Sequence, residues 1–534
     1  MSALIPGPAD ARMGPGLLCP PIGAPWRVRS ATREFASAAE TVRELLAPHL
    51  GARVSAAAPP TGPALTLTDQ DAPAAPRRTF GVAPTGESEP PDESYALDVD
   101  DAGVVCRART PAGALRGGVA AAQLLLTETH LPHRRMRDGP HFAWRGLMLD
   151  PARTFLSPDE LRRLIDVAAL YRLNVVHVHL TDNEGWRLQI PSLPALTSQG
   201  SAGKREFYTV AEYRDLQSYA AARHITLIPE IDLPGHCAAL RRALPDLPPA
   251  PAPEGLRGRY SYTPPLDLAD DTTRTTVSAV LAEVCALTDG PFVHVGGDEA
   301  LGITADSFSH AVTELRETIR KFGKKPVCWQ EASRAGLAPG DVLQHWVDVE
   351  MMDLPDTPDE LAARPDLAST GHGVEVFRAL KRFFGPSDHD VRRILDGGGQ
   401  ILLSPQSHLY LDRRYAPETL PEDVRAAVAD VGFATYRPRS TEYAAQWSPD
   451  LHGIPADRVA GVEATLFAEQ LTGFEDISTL LLPRLAGVAE VAWTGRAPDW
   501  SEFRGRLAAH ARWWAERGLP YAATTDVPWV ESRS

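Results

Sequence analysis

The run His294-Val295-Gly296-Gly297-Asp298-Glu299 sets two carboxylates side by side behind a pair of glycines. In a regular strand, adjacent side chains point to opposite faces. Glycine reaches backbone conformations closed to other residues, so both carboxylates can turn towards one substrate. Two carboxylates in different surroundings can divide the work of an acid and an orienting group. A lone Asp-Glu is an ordinary solvated turn; this pair is set apart by the residues that end other apolar runs. Asp150 and Arg153 follow the first run, His177, His179 and Asp182 end the second, and Glu230, Asp232 and His236 follow the third. Trp329, Glu331 and Trp346 end the fifth and sixth, Tyr410 and Asp412 follow the seventh, and Glu469 follows the eighth. Carboxylates beside Trp faces suit a sugar: the charges meet hydroxyls and the rings form an apolar wall.

The runs that must position these residues lie at 146–150, 175–180, 226–230, 292–295, 326–329, 342–346, 401–404 and 459–463. Most are separated by enough chain for a crossover helix, and eight such units predict an α/β protein with a (β/α)8 barrel. In such a barrel, the C-terminal ends of the strands share one rim, where the polar residues collect. Ser157-Pro158-Asp159-Glu160 and Thr209-Val210-Ala211-Glu212 read as capping boxes that start two of the helices. Upstream, 94–99 alternates like a strand, 110–113 reads as a turn, 114–127 as a helix, and 56–76 mostly as loop. This predicts a flexible leader over 1–31, a small α/β domain over 32–140, the barrel over 141–500 with an insertion at about 347–400, and a C-terminal helix and tail over 501–534.

The chain has 534 residues, 54 basic and 69 acidic, and a net charge of −15, with no basic stripe to follow a phosphate backbone. A nucleic-acid partner is not expected. No apolar run is long enough to span a bilayer. Five widely spaced cysteines suggest neither a disulfide framework nor a zinc cluster. With no secretory signal pattern at the start, a cytoplasmic location is expected.

The motifs Arg145-Gly-Leu-Met-Leu-Asp150-Pro-Ala-Arg153, Asn174-Val-Val-His177-Val-His179-Leu-Thr-Asp182, Pro229-Glu230-Ile-Asp232-Leu-Pro-Gly-His236, His294 to Glu299, Ser404 to Asp412 and Gly461 to Glu469 occur in order. In this the chain resembles family 20 glycoside hydrolases, the β-N-acetylhexosaminidases. The resemblance implies removal of terminal β-linked N-acetylhexosamine from a carbohydrate substrate, without metal or organic cofactor. It implies Glu299 as general acid/base and Asp298 as the residue holding the substrate's 2-acetamido group, whose carbonyl oxygen is the nucleophile; the family is a recognised exception to the two-carboxylate scheme. Tyr410 would bond that carbonyl. Arg153, Asp412 and Glu469 would bind ring hydroxyls, and Trp329, Trp346 and Phe467 would enclose the sugar. Asp182, His236 and His294 would support the catalytic pair from behind. Phe467 replaces a usual Trp, Asn183 a common Asp and Thr154 a frequent His, departures that bear on substrate preference.

Two other readings fit parts of the pattern. A metal-dependent amidohydrolase could use His177, His179, His236, His294 and Asp298 as ligands. A non-catalytic barrel could bind sugar without needing the acid of the Asp298-Glu299 pair.

Overall fold

The computed structural model describes residues 3–20, 24–56, 62–76, 78–128, 130–198, 205–251, 263–348, 353–368, 371 and 373–529. The first domain is a seven-stranded mixed sheet. Its strands are β1 (Asp10–Leu18), β2 (Trp26–Ser30), β3 (Val54–Ser55), β4 (Ala64–Thr68), β5 (Tyr95–Asp100), β6 (Gly103–Ala108) and β7 (Leu131–Asp138), in the order β1-β7-β5-β6-β4-β2-β3. Helices Ala36–Leu50 and Pro111–Thr127 accompany it.

Three expectations are corrected here. The leader expected over 1–31 contributes β1 and β2 to this sheet. Met-Gly-Pro-Gly reads as loop, yet β1 absorbs it as an irregularity in the register between Met13 and Leu17 on the sheet edge, where proline and glycine are tolerated. The stretch read as loop over 56–76 contains β4, whose Leu65 and Leu67 are fully buried. Thr110 to Gly113 is the start of a helix. The Thr110 side chain accepts from the Gly113 N–H, and Pro111 takes the first helical position, where its missing N–H costs nothing.

The second domain is the expected barrel. β8 (Trp144–Leu149), β9 (Val175–His179), β10 (Thr226–Glu230), β11 (Phe292–His294), β12 (Lys325–Trp329), β13 (Val342–His345), β14 (Gln400–Leu403) and β15 (Val459–Leu466) close in sequence order, all parallel. Both predicted capping boxes are formed, at Ser157 and at Thr209. The interior is layered. Trp144, Val175, Ile228, Phe292, Val327, Val342, Leu402 and Ala460, one from each strand, form an apolar floor. Above it lies a polar layer. Glu463 accepts from Trp144 Nε1 at 2.9 Å and Gln344 Nε2 at 3.0 Å and pairs with His177 Nδ1 at 2.8 Å. The candidate site sits on top of that layer.

Helices Trp500–Ala508 and Ala511–Glu516 end the chain, and Trp513 and Trp514 are buried against Tyr171 and His510. Residues 530–534 of the expected tail lie outside the described residues. Among the described residues, no helix is long and apolar enough to cross a membrane.

Candidate active site

The loop after β11 carries the two carboxylates, and its backbone is unusual. Gly296 and Gly297 have φ of +68° and +95°, and Glu299 itself has +39°. Positive φ at a non-glycine residue is strained and persists only where its surroundings enforce it. At Gly296 the constraint is visible: a Cβ there would lie 1.6 Å from Asp232 Oδ1. The Gly297 N–H instead donates to that same oxygen at 3.2 Å. The glycines thus let the loop fold over Asp232 and present Asp298 and Glu299 together.

The two carboxyls sit in different surroundings. Glu299 is 37% exposed and opens to the pocket; Asp298 is 13% exposed. Burial, and next the neighbouring Asp232, push the Asp298 carboxyl well above the usual carboxylate range. Asp232 is raised as well, by burial and then by Glu230. His236 bridges the group: its Nε2 lies 3.6 Å from Glu299, 3.8 Å from Asp298 and 3.9 Å from Asp232, and its Nδ1 lies 3.1 Å from Asp182. Burial is the largest influence on His236 and lowers its pKa, but Asp182 and Asp298 outweigh it and hold the ring up at about 10. His236 is therefore a cation at neutral pH.

Arg153 leaves the loop after β8 and meets Asp182 at 2.6 Å, Asp150 at 3.2 Å and Glu469 at 3.7 Å. Its guanidinium stands 5.4 Å from the Phe467 ring centre. Thr154 Oγ1 lies 3.0 Å from the Ala468 carbonyl and 2.9 Å from that of Leu471. In place of a histidine it clasps the loop bearing Arg153 to the loop bearing Glu469.

Tyr410, Trp346 and Phe467 form the aromatic wall. Trp346 and Tyr410 lie nearly parallel at 6.1 Å, and Tyr410 and Phe467 are 5.3 Å apart. Trp346 Nε1 donates to Glu331 at 3.1 Å, and burial pushes the Glu331 carboxyl up to about 8. Gln330 Oε1 accepts from the N–H groups of Trp346 and Val347 at 2.9 and 3.0 Å, fixing the end of β13.

The pocket these groups surround has a volume of about 330 Å³. Arg153, His236, Asp298, Glu299, Trp346, Tyr410, Phe467 and Glu469 all line it. Trp329 and Asp412, expected against the sugar, instead lie one layer back, where Asp182 and His294 were expected, whereas His236, expected behind the pair, lines the pocket. Trp329 is fully buried behind Phe467 and donates its indole N–H to Glu230 at 2.8 Å. His294 Nδ1 lies 2.9 Å from Glu230, and the ring packs edge-on against Trp329. Asp182 pairs with His236 and Arg153. Asp412 is 2% exposed, and burial, then Glu469, raise its pKa. The sequence reading overlooked two contributors: Tyr436, 6.2 Å from Tyr410, and the role of Glu230 as the buried hub joining His177, His179, His294 and Trp329; the expected insertion walls one side of the pocket.

Of the residues that the metal-site reading would use, His236 and Asp298 line the pocket and lie with Asp232 close enough together to share an ion, while His177 and His179 pair with carboxylates inside the barrel. His177 reaches Glu463 and Glu230, and His179 reaches Glu230 and Asp182. Neither lines the pocket.

A parallel eight-stranded barrel whose rim holds an acid pair, a charged histidine and an aromatic wall has the construction of a barrel glycosidase. The family model for the glycosyl hydrolase family 20 catalytic domain matches residues 142–496, and that for domain 2 of the same family matches 1–139. The chain belongs to glycosyl hydrolase family 20. It is 35% identical over 456 residues to a β-N-acetylhexosaminidase of Cellulomonas fimi, with 82% of each chain covered. Its fold superposes on an N-acetyl-β-hexosaminidase of Streptomyces plicatus solved with Thio-NAglucal (TM-score 0.76, 29% identity, 99% of this chain and 98% of that one). A β-N-acetylhexosaminidase of Streptomyces coelicolor gives a TM-score of 0.75 at 28% identity, with 99% of each chain covered.

Proposed function

We propose that the chain is an exo-acting β-N-acetylhexosaminidase that works with retention, using the substrate's own acetamido group as nucleophile. The observation that carries the reading is the pairing of an open Glu299 with a more enclosed Asp298 beside Tyr410 and Trp346. Glu299 is positioned to protonate the glycosidic oxygen as the bond from it to the anomeric carbon breaks. The acetamido carbonyl oxygen attacks that carbon and forms a cationic oxazolinium ring, the family's route in place of an enzyme nucleophile. Asp298, once ionised, holds the acetamido N–H and offsets the positive charge, and Tyr410 bonds the carbonyl oxygen as it attacks. Holding the acetamido group against Trp346 supplies the attack geometry. Glu299, now a carboxylate, then takes a proton from water as that water opens the ring, restoring the β-configured sugar and the protonated acid.

Arg153 and Glu469 face the pocket where ring hydroxyls would bind. Asp412, a buried carboxyl close behind Glu469, is suited to support them. Asp182 orients and charges His236, which in turn faces both catalytic carboxyls. Trp329 and His294 brace the wall through Glu230.

The test is hydrolysis of chromogenic β-GlcNAc and β-GalNAc glycosides, with and without chelator. Glu299→Gln is expected to lower turnover about 10²–10⁴-fold, the usual contribution of a positioned acid/base, while the fold persists. Loss of wild-type activity on adding chelator would instead favour the metal-dependent reading, and turnover unaffected by Glu299→Gln would remove the proposed acid.

A further inference from the structure

Between β13 and β14 lies the helix Val374–Phe384. Val376, Phe377, Leu380 and Phe384 fall on one of its faces. The other face is charged and paired: Arg378 meets Glu375 at 2.8 Å and Lys381 meets Asp356 at 2.5 Å. A helix patterned in this way normally lays its apolar face on a core. Here that face, together with Leu354 and Leu367, lines the pocket, and Phe384 meets Trp346 edge-on at 5.7 Å. The insertion is thus continuous with the aromatic wall of the site.

The pocket is divided chemically. Its hydroxyl-binding and acid groups, Arg153, Glu469, Asp298 and Glu299, all come from loops at the barrel rim. The ionic groups on the insertion side are tied to one another: Asp353 pairs with Arg364 at 3.1 Å and with Arg437 at 3.3 Å. Among the described residues of the insertion, what else lines the pocket is apolar: the partly exposed Leu354, Val376 and Leu380, backed by the buried Leu367, Phe377 and Phe384. Sugar hydroxyls pressed against this surface would give up water without gaining partners. An alkyl or aryl body would gain from burial there.

Resting on the hydrolase reading above, we infer that the insertion builds an apolar subsite for the leaving group, and that the substrates are N-acetylhexosaminides of apolar alcohols or phenols rather than oligosaccharides. The experiment uses the full chain with a series of alkyl β-N-acetylglucosaminides from methyl to hexyl, beside N,N′-diacetylchitobiose. Within the series the leaving alcohols differ little in acidity beyond the first members, so a trend reports burial. kcat/KM is expected to rise about two- to fourfold per methylene, the gain from burying each one, and to exceed that for the disaccharide. Val376→Asn and, independently, Leu380→Asn are expected to flatten the slope. A flat wild-type series, or preference for the disaccharide, overturns the inference while leaving the hydrolase reading intact. No turnover of any glycoside overturns both. Should either variant fail to fold, the wild-type slope decides.

Discussion

Asp298 and Asp232 share one acidic neighbourhood, and the charge of one is felt in the protonation of the other. Burial and Asp232 hold the Asp298 carboxyl above its ordinary range, with His236 opposing. Asp298 must be ionised to offset the cationic ring, so its pKa sets an acid limit on catalysis. Asp232→Asn keeps an oxygen for the Gly297 N–H but removes the negative charge. The Asp298 pKa should then fall, and the ionised form should persist to lower pH. The acid limb of the kcat/KM profile is expected to move towards acid in Asp232→Asn, with little loss at neutral pH. An acid limb that stays in place would mean that Asp232 does not tune Asp298. At this scale the sequence picked out residues that the fold brings to one pocket, because Asp298, Glu299, Arg153 and Tyr410 sit in local motifs at strand ends. It did not show Tyr436, which reaches Tyr410 from an irregular loop between β14 and β15, where no periodicity marks it.

The loop after β11 works as an element because two adjacent glycines do different jobs. A methyl group on Gly297 would meet only Ala332 Cβ at 3.5 Å and Val312 at 3.8 Å, so Gly297→Ala pays mainly in backbone strain at φ +95°. A methyl group on Gly296 collides with Asp232 and must displace it. Both variants should lose about 1–3 kcal/mol of stability from strain. Gly296→Ala should also lose about 10²-fold in kcat, since misplacing a reacting group by an ångström costs that order. Equal kcat losses in the two variants would show that the contact with Asp232 does not position the pair. The eight barrel strands were legible because each is a short, mostly apolar run ending near polar residues, buried along almost all its length as parallel strands are. β1 and β4 were not, because glycine and proline interrupt the one and alanine and proline surround the other, and only pairing within the sheet makes them strands. The insertion was marked in the sequence, but its destination was not; an amphipathic helix carries no sign of whether its face will cover a core or a pocket.

For the molecule as a whole, the two domains are joined by a buried ionic knot. Glu93, from the small domain, accepts from Arg116 Nε at 2.8 Å and from Arg145 Nη2 at 2.9 Å, and Asn174 Nδ2 lies 3.3 Å away. Arg116 continues to the carbonyls of Arg223 and His224 in the barrel. Burial alone would raise the Glu93 carboxyl, but the guanidiniums of Arg145 and Arg116 outweigh it and leave it below the usual 4.5. A depressed carboxyl stabilises the fold above its unfolded pKa, and that contribution is lost as pH falls through the folded value. Glu93→Gln keeps the shape and strands two buried guanidiniums, a loss of roughly 3–5 kcal/mol for a broken buried pair. The urea midpoint of the variant is therefore expected to lie well below that of the wild type at neutral pH, with the gap closing as the pH drops below 4.5. Because the knot lies at the N-terminal end of the barrel, remote from the rim, kcat of the folded variant should match the wild type. A midpoint unchanged at neutral pH would show that the domains are held by their apolar contacts and that the ionic joint contributes nothing net.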